Sequence, residues 1–142
     1  MEKIAKFEKV SLNQFEKDYL NAFPELTIKN IELRPNETIK VPTGIRAKIN
    51  NGWVLTIYPR SGLGFKYRLQ LNNTVGIIDS DYYGSSNEGH IYIKITNDTN
   101  ENRIISIKEG EGFAQGIFFN FGITVDDEVS EIRDGGFGST TK

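Results

Sequence analysis

The chain contains no cysteine and a single histidine, His90, among its 142 residues. The absence of cysteine excludes disulfides, thiolate nucleophiles and cysteine-based zinc sites. One histidine excludes a histidine-rich metal site and leaves His90 as the only imidazole base for a catalytic triad. Any metal ion must therefore be a hard cation held by carboxylates, water or ligand oxygens.

Long apolar runs and a strong net charge are also lacking. No run approaches the roughly 18 apolar residues of a membrane-spanning helix, and the N-terminal residues 1–6 contain no apolar signal core. We therefore expect a cytoplasmic protein without membrane contact. The formal net charge of -2 argues against nucleic acid as a partner, although a few local cations suffice for a small anion.

Length and composition predict one domain that spans residues 1–142. Hydrophobic residues make up 37% of the chain, which permits a packed core but not a generous one. Because small domains bury a modest share of their surface, chains of this size often gain stability in an oligomer.

The N-terminus differs from the rest and predicts a helical extension over residues 1–24. Apolar side chains within residues 7–23 recur at roughly helical spacing. Ser11 followed by Gln14 fits a capping box, and a proline at position 24 should end the helix, which we place at Leu12–Ala22. The extension either covers the body of the domain or serves as an arm that binds a partner.

The remainder reads as β-structure, because short apolar or alternating runs are separated by turn residues. Asn51-Gly52 suits a tight hairpin turn. Many short strands at this spacing favour an all-β sandwich or barrel. The predicted strands are residues 27–33, 38–41, 44–49, 53–58, 76–78, 91–96, 104–107 and 113–121.

Residues 58–64 are suited to bind phosphate. Arg60 offers a planar fork of donors, and Ser61 adds a hydroxyl. Gly62 and Gly64 leave backbone N–H groups open to an anion. The alternative is a turn with an incidental arginine.

Residues around the run 76–78 offer a candidate base. Asp79 and Asp81 follow this apolar run, and a carboxylate at a strand end can accept a proton from water. Tyr82 offers a flat face for a ring, and Asn73 offers a paired donor and acceptor that can read a base edge. The alternative is a loop whose aspartates cap turns.

Gln115 and the C-terminal residues 133–142 complete the set. Gln115 stands in an otherwise apolar stretch, where it binds either a ligand or a neighbouring backbone. The glycine-rich C-terminus is either a disordered tail or a flexible clamp over a nucleotide. As a clamp, it would use Phe137 to stack on a base, and phosphate oxygens would be held by Arg133, Ser139 and Thr140.

The order and strings of these segments resemble the conserved blocks of the trimeric, all-β dUTPase family, the deoxyuridine triphosphate nucleotidohydrolases. The resemblance covers residues 39–142. Residues 41–45 resemble the strand that leads into the second motif. The second motif itself is matched by residues 59–63, the third by Asn73 with residues 76–84, the fourth by residues 112–115, and the fifth by Arg133 with residues 135–140.

The resemblance implies a jelly-roll-like β-barrel that forms homotrimers and hydrolyses dUTP to dUMP and pyrophosphate with Mg²⁺. It implies that each active site is shared between subunits and that residues 133–142 close over it as a lid. Asp79 would then activate the attacking water, and Tyr82 would pack against the deoxyribose. The implied substrate-binding residues are Arg60, Ser61, Gly62, Asn73, Gly76, Ile78, Tyr82, Gln115, Arg133, Phe137, Gly138, Ser139 and Thr140.

One block of the family pattern is missing. The first motif is an Ala-Gly-x-Asp-Leu-like string whose aspartate helps to hold the metal through water, and residues 22–40 contain neither Asp nor Gly. Either a segment near residues 24–27 has been lost relative to the family, or this member lacks the motif and is impaired. We therefore expect Mg²⁺ to be held by phosphates and water, with Gln115 as a further candidate.

Two other functions stay open. The missing motif and the N-terminal helix are consistent with a non-catalytic or moonlighting member that binds dUTP and signals to a regulatory protein partner. The related dCTP deaminases are the third alternative, although residues 76–84 and the glycine-rich C-terminus fit them poorly.

Overall fold

The computed structural model describes residues 1–23 and 30–127. These residues form mostly β-structure with two α-helices and one 3₁₀ helix, so the predicted all-β class with an N-terminal helix is confirmed. The strands are β1 (Ala5–Lys9), β2 (Ile31–Leu33), β3 (Thr38–Pro42), β4 (Ile45–Ile49), β5 (Trp53–Pro59), β6 (Leu69–Leu71), β7 (Gly76–Asp79), β8 (Tyr92–Asn97), β9 (Ile105–Ile107) and β10 (Ala114–Asn120). The helices are α1 (Leu12–Ala22), α2 (Ser61–Tyr67) and the 3₁₀ helix Ser80–Gly84.

The strands pair in antiparallel fashion in four small sheets. Their orders are β1-β4, β10-β5-β7, β2-β9 and β3-β8-β6. No two strands that are consecutive in the chain pair with each other in the described residues. The fold therefore depends on long-range pairing and not on local hairpins.

The core lies between the sheets, and each strand contributes the side chains of one of its faces to it. Leu55 and Ile57 of β5 pack there with Ile93 and Ile95 of β8, and each of these side chains is at most 8% exposed. Burial of one such side chain contributes roughly 1.5–3 kcal/mol. Because a slip of one residue would turn the whole row outward, this burial fixes the register of the strands.

The helix predicted at Leu12–Ala22 is confirmed with those bounds. Ser11 caps it, because its hydroxyl oxygen accepts a hydrogen bond from the N–H of Gln14 at 3.1 Å. In a capping box the side chain of Gln14 would accept a hydrogen bond from the N–H of Ser11. Here that N–H donates to Glu88 Oε1 instead, at 2.7 Å. The residues before the helix form strand β1, which the helical spacing of apolar residues had concealed.

One local expectation was wrong, and two elements were not predicted. Gly52 has a φ of +84° in a turn, but the flanking strands β4 and β5 belong to different sheets, so no hairpin forms. After Arg60 the chain forms α2, a short helix that the sequence pattern did not predict. Strand β6 was missed because its three residues are too few to show alternation.

Neither α-helix in the described residues is long and apolar enough to cross a membrane. The cytoplasmic location stays a prediction.

Candidate functional site

In the described part of the chain, the predicted site residues form two groups, one around Arg60 at the end of β5 and one along β7, which reaches the start of β5 only at Asp79. Asp79 ends β7 and lies opposite Val54, near the start of β5. Arg60 directly follows Pro59, the last residue of β5. The extended chain from Val54 to Arg60 spans about 20 Å. The candidate base and the candidate phosphate ligands of one chain are therefore far apart.

The first group surrounds a surface cleft that we call the Arg60 cleft. Arg60 and Lys66 bring two positive charges to it, whereas Glu111 supplies the only carboxylate among the described residues that line it. A cleft of this size with excess positive charge suits a phosphate-bearing ligand. Its volume is about 420 Å³, and it is lined by Arg60, Gly62, Leu63, Lys66, Tyr67, Gly110, Glu111 and Gly112.

The guanidinium of Arg60 is exposed. Its Nη1 donates a long hydrogen bond of 3.3 Å to the carbonyl oxygen of Gly112, so the group is held only loosely. Ser61 and Gly62 are exposed in the first turn of α2, where N–H groups have no partner within the helix. Gly64 was expected to offer an open N–H, but this group donates to the carbonyl oxygen of Arg60 at 2.9 Å. That part of the anion-site prediction was wrong.

Gln115 lies beside the cleft on β10, opposite Tyr58. Its side chain is exposed, and Nε2 donates to the carbonyl oxygen of Pro59 at 3.0 Å. This bond fixes the amide next to Arg60, which follows Pro59. The amide oxygen of Gln115 accepts no hydrogen bond from residues 1–23 or 30–127, so it can accept one from a donor such as metal-bound water, whereas a phosphate oxygen would need Nε2 to leave Pro59.

The second group begins at the turn between β6 and β7. Gly76 is buried, and a Cβ there would lie 3.0 Å from the Cβ of Ile57, so the close strand packing favours glycine. The side chain of Ile78 packs against the core. Because β7 is the edge strand of its sheet, Gly76 and Ile78 offer a base their backbone. Asn73 is exposed, and it borders a cleft of about 350 Å³ with Lys40, Asn72, Tyr92 and Lys94.

Asp79 is half-buried and precedes the 3₁₀ helix Ser80–Gly84 in extended conformation. Tyr82, within this helix, is only 6% exposed. Its hydroxyl donates to the carbonyl oxygen of His90 at 2.6 Å and accepts from Asn87 Nδ2 at 2.9 Å. The ring therefore faces the protein, which limits the predicted contact with a sugar to a small part of its surface.

Sequence reasoning missed the residues that shape the loop after Asp79. Gly89 has a φ of +68°, and a Cβ there would lie 2.7 Å from the Tyr82 carbonyl oxygen, so only glycine fits. His90 is fully buried. The solitary histidine and the nearby glycine were visible in the sequence, but their partners lie far along the chain.

No cluster of three or more His, Asp or Glu side chains suitable for a metal occurs in residues 1–23 and 30–127. Mg²⁺ usually keeps several water ligands and binds substrate phosphates plus one or two carboxylates. Within residues 1–23 and 30–127, Glu111 is the only carboxylate that lines the Arg60 cleft. The described residues therefore fit a metal that arrives on the phosphates of a ligand, and not one enclosed by the protein.

The predicted C-terminal site residues lie outside the described part of the chain, and their roles stay predictions. They are Arg133, Phe137, Gly138, Ser139 and Thr140.

The fold and the two groups define an all-β protein with a positively charged cleft, suited to phosphate, and a separate aspartate at a strand end. A sequence model described as dUTPase matches residues 26–141. The chain therefore belongs to the dUTPase family, and its predicted membership is confirmed.

Curated relatives agree with this assignment. A deoxyuridine 5'-triphosphate nucleotidohydrolase from Lactococcus lactis is 41% identical over 115 residues, which cover 79% of this chain and 75% of the relative. A protein of the same name from Tolumonas auensis is 40% identical over 116 residues, covering 78% of this chain and 72% of the relative.

Solved structures show the same fold. The dUTPase from Streptococcus mutans is 31% identical, with a TM-score of 0.61 over 83% of this chain and 97% of that chain. A dUTPase from phage phi11 of S. aureus, described with a structural Mg(II) ion, is 20% identical, with a TM-score of 0.60 over 91% of this chain and 98% of that chain. The expected jelly-roll-like β-barrel is thus confirmed.

Proposed function

We propose that this chain hydrolyses dUTP to dUMP and pyrophosphate. The observation that carries the proposal is the 41% identity with the L. lactis nucleotidohydrolase over 115 residues. The predicted segments 58–64, 73–84 and 112–115 all lie within the residues matched by the family, 26–141. Hydrolysis of a nucleotide would also use both the Arg60 cleft, which suits phosphate, and the separate carboxylate of Asp79.

In the proposed reaction Asp79 accepts a proton from the attacking water. The water oxygen forms a bond to the α-phosphorus, and the bond from that phosphorus to the bridging oxygen breaks, so that pyrophosphate leaves with the electron pair. A positioned general base contributes about 10²–10⁴-fold. The phosphates are held by Arg60, Ser61, Gly62 and Gln115, since phosphoryl transfer depends mainly on positioning and charge stabilisation.

Recognition of the nucleoside falls to the second group. Asn73 and the backbone of Gly76 and Ile78 read uracil, and the exposed edge of Tyr82 contacts the deoxyribose. A pocket that leaves no room for a 2′-hydroxyl or a thymine methyl would reject UTP and dTTP, although exclusion by size has modest energetic leverage.

Residues 1–142 form one domain in this proposal. Its two ends serve as an N-terminal extension and a C-terminal lid. Residues 1–24 form the N-terminal extension. Residues 133–142 close over the bound nucleotide: Arg133 meets the phosphate chain and Phe137 stacks on uracil. The γ-phosphate is held by Gly138, Ser139 and Thr140.

The active site is shared between copies of the chain in a homotrimer. About 20 Å of strand separates the start of β5 from its end, which is too far for Asp79 to act on a phosphate held by Arg60 of the same chain. A second copy can supply the missing group, because closed symmetry brings one patch of each copy against a different patch of the next.

The outer face of the sheet β10-β5-β7 supports this arrangement. Ile77 and Ile117 lie opposite Thr56, and Phe119 and Asp79 lie opposite Val54, so these side chains share one face of the sheet. Ile77 is 62% exposed, Ile117 45% and Phe119 47%. Contiguous apolar exposure of this kind marks an interaction surface, and Asp79 stands at its edge.

Mg²⁺ is the proposed cofactor. It would be carried by phosphate oxygens and water, with Gln115 as a contact to its water shell, and when bound it would neutralise phosphate charge. Because the first motif is missing, we expect weak dependence on Mg²⁺ and slow turnover.

The missing motif also favours a second function, in which the chain binds dUTP without turning it over and signals to a protein partner. Assays of pyrophosphate release from dUTP, dCTP, dTTP and UTP, each with and without Mg²⁺, separate the alternatives. Release from dUTP alone supports the hydrolase. Binding of dUTP without release supports the regulatory function, and ammonia release from dCTP supports a deaminase.

A further inference from the structure

The first 23 residues precede the part of the chain matched by the family, residues 26–141, yet they contact the loop after Asp79 at three points. We propose that Glu8, Ser11 and Asp18 are positioning residues that clamp the loop 80–90 and thereby set its geometry for discrimination between deoxyribose and ribose. This inference rests on the proposed function, in which Asp79 and Tyr82 meet water and sugar.

The first contact is a buried pair between α1 and the end of the loop. His90 is 0% exposed, and its Nδ1 lies 2.6 Å from Asp18 Oδ2. Its Nε2 accepts a hydrogen bond from the N–H of Gly44 at 2.8 Å. Because Nε2 accepts, the neutral ring carries its proton on Nδ1 and donates it to Asp18. Asp18 and Gly44 together fix the tautomer and orientation of the ring.

The surroundings of Asp18 keep its carboxyl group ionised for this contact. Burial disfavours the charge, but hydrogen bonds from Gln14, His90 and Tyr92 outweigh burial and lower the pKa of Asp18 below its ordinary value. Gln14 Nε2 donates to Oδ2 at 2.7 Å. Burial, followed by the bond to Asp18, raises the pKa of Tyr92, which keeps this hydroxyl a proton donor.

The backbone of His90 carries this constraint into the predicted site. Its carbonyl oxygen accepts the hydroxyl of Tyr82 at 2.6 Å, and both groups are buried. Tyr82 lies in the 3₁₀ helix Ser80–Gly84, three residues after Asp79, which precedes that helix. A shift of His90 would therefore move the hydroxyl of Tyr82, and through it the helix that Asp79 precedes.

The second contact joins the cap of α1 to the middle of the loop. The hydroxyl of Ser11 donates to Glu88 Oε2 at 2.5 Å, and its N–H donates to Oε1 at 2.7 Å. These two bonds, from the side chain first and then the backbone, lower the pKa of Glu88. Ser11 thus caps its own helix and holds the loop at the same time.

The third contact joins β1 to the 3₁₀ helix. The hydroxyl of Tyr83 donates to Glu8 Oε2 at 2.9 Å, and Arg46 Nη2 donates to the same oxygen at 3.2 Å. The guanidinium of Arg46 also lies 4.2 Å from the centre of the Tyr83 ring. The three contacts hold the loop at positions 83, 88 and 90, and a site fixed on several sides reads its ligand geometry more strictly.

The test compares Asp18→Asn with Glu16→Gln. Both changes remove one carboxylate from α1, but Glu16 is exposed and Asp18 is buried. The readout is the ratio of kcat/KM for dUTP to kcat/KM for UTP. We expect Asp18→Asn to lower this ratio roughly tenfold and Glu16→Gln to leave it unchanged. Because both substrates meet the same fraction of folded enzyme, a loss of stability alone would not change the ratio.

Hydrogen exchange of the backbone amides gives a readout that needs no activity. Residues 80–90 should exchange faster in Asp18→Asn than in the wild-type chain, while β5 exchanges at the wild-type rate. An unchanged substrate ratio, or unchanged exchange over residues 80–90, overturns the clamp. Failure of the wild-type chain to hydrolyse dUTP would overturn the proposed function instead, and exchange would still decide whether the clamp exists.

Discussion

The loop after Asp79 and the Arg60 cleft differ in how firmly they are built. The loop is tied to the N-terminal segment by several hydrogen bonds, of which the one between Asp18 and the fully buried His90 is itself buried. In the cleft, the guanidinium of Arg60 is exposed and makes a long bond of 3.3 Å to Gly112. The geometry of the loop after Asp79 is therefore set before any ligand arrives, whereas the Arg60 cleft can adjust to its ligand.

This difference matches the demands of the two halves of a nucleotide. Base and sugar are distinguished by small differences in shape, which only a fixed pocket can sense. A flexible phosphate chain is attracted mainly by charge and hydrogen-bond donors, which tolerate adjustment. We therefore expect changes in the loop to alter specificity and changes in the cleft to alter rate and affinity.

The largest effect should come from the proposed base. Asp79→Asn removes the proton acceptor but keeps the shape, and we expect it to lower kcat for dUTP by about 10³-fold with little change in affinity. Pyrophosphate release and calorimetric titration with a non-hydrolysable dUTP analogue measure the two quantities. Asp81→Asn is the matched control. Wild-type turnover in Asp79→Asn would remove Asp79 from its role.

A smaller loss is expected in the cleft. Arg60→Ala removes the planar donor group and should lower kcat/KM for dUTP by roughly 10²-fold, with the same preference for dUTP over UTP. Arg34→Ala, a change of the same kind at another exposed arginine, should have no effect. A loss of the preference for dUTP in Arg60→Ala would show that the two regions do not divide their roles as proposed.

Two glycines test the difference in rigidity directly. At Gly89 an added Cβ meets backbone atoms of Tyr82 and Tyr83 at 2.7 Å, and φ is +68°, so Gly89→Ala should cost about 2 kcal/mol of unfolding free energy. At Gly112 it meets the mobile Nη1 of Arg60 at 3.2 Å, so Gly112→Ala should cost within about 0.5 kcal/mol. Denaturant titrations of both variants measure this, and equal losses would contradict the contrast.

The smallest effect should appear at acid pH. Hydrogen bonds hold the pKa of Asp18 below its ordinary value despite burial, so the unfolded chain binds this proton more readily. The stability that Asp18 contributes is therefore present above about pH 4 and is lost as pH falls through the lowered pKa of the folded state. In thermal melts, the difference in stability between the wild-type chain and Asp18→Asn should become smaller as the pH falls. A difference that grows on acidification would contradict this prediction.

Local patterns predicted most of the elements. Ser11 and Gln14 marked the start of α1 because a helix cap is a property of neighbouring residues. The alternation in β5 and β8 reflects one face turned to the core, which is also visible locally. Gly64 contradicted the prediction of an open N–H because the chain continues there as helix α2, whose backbone bonding uses that N–H.

The site was only partly predictable, because its arrangement depends on long-range contacts. The residue types at Arg60, Asp79 and Gln115 suggested phosphate and proton chemistry. No local pattern could indicate that β5 separates Asp79 from Arg60, since this follows from strand pairing. The contact between Asp18 and His90 spans 72 positions, so the sequence alone carried no sign of it.

In the proposed trimer, each active site combines the Asp79 loop of one copy with the Arg60 cleft of another. The direct test mixes two nearly inactive proteins, Asp79→Asn and Arg60→Ala, after they have been unfolded and refolded together. In mixed trimers about a quarter of the sites should receive an intact group from each copy, so dUTP hydrolysis should return to about a quarter of the wild-type rate. A mixture no more active than its components would contradict the shared site.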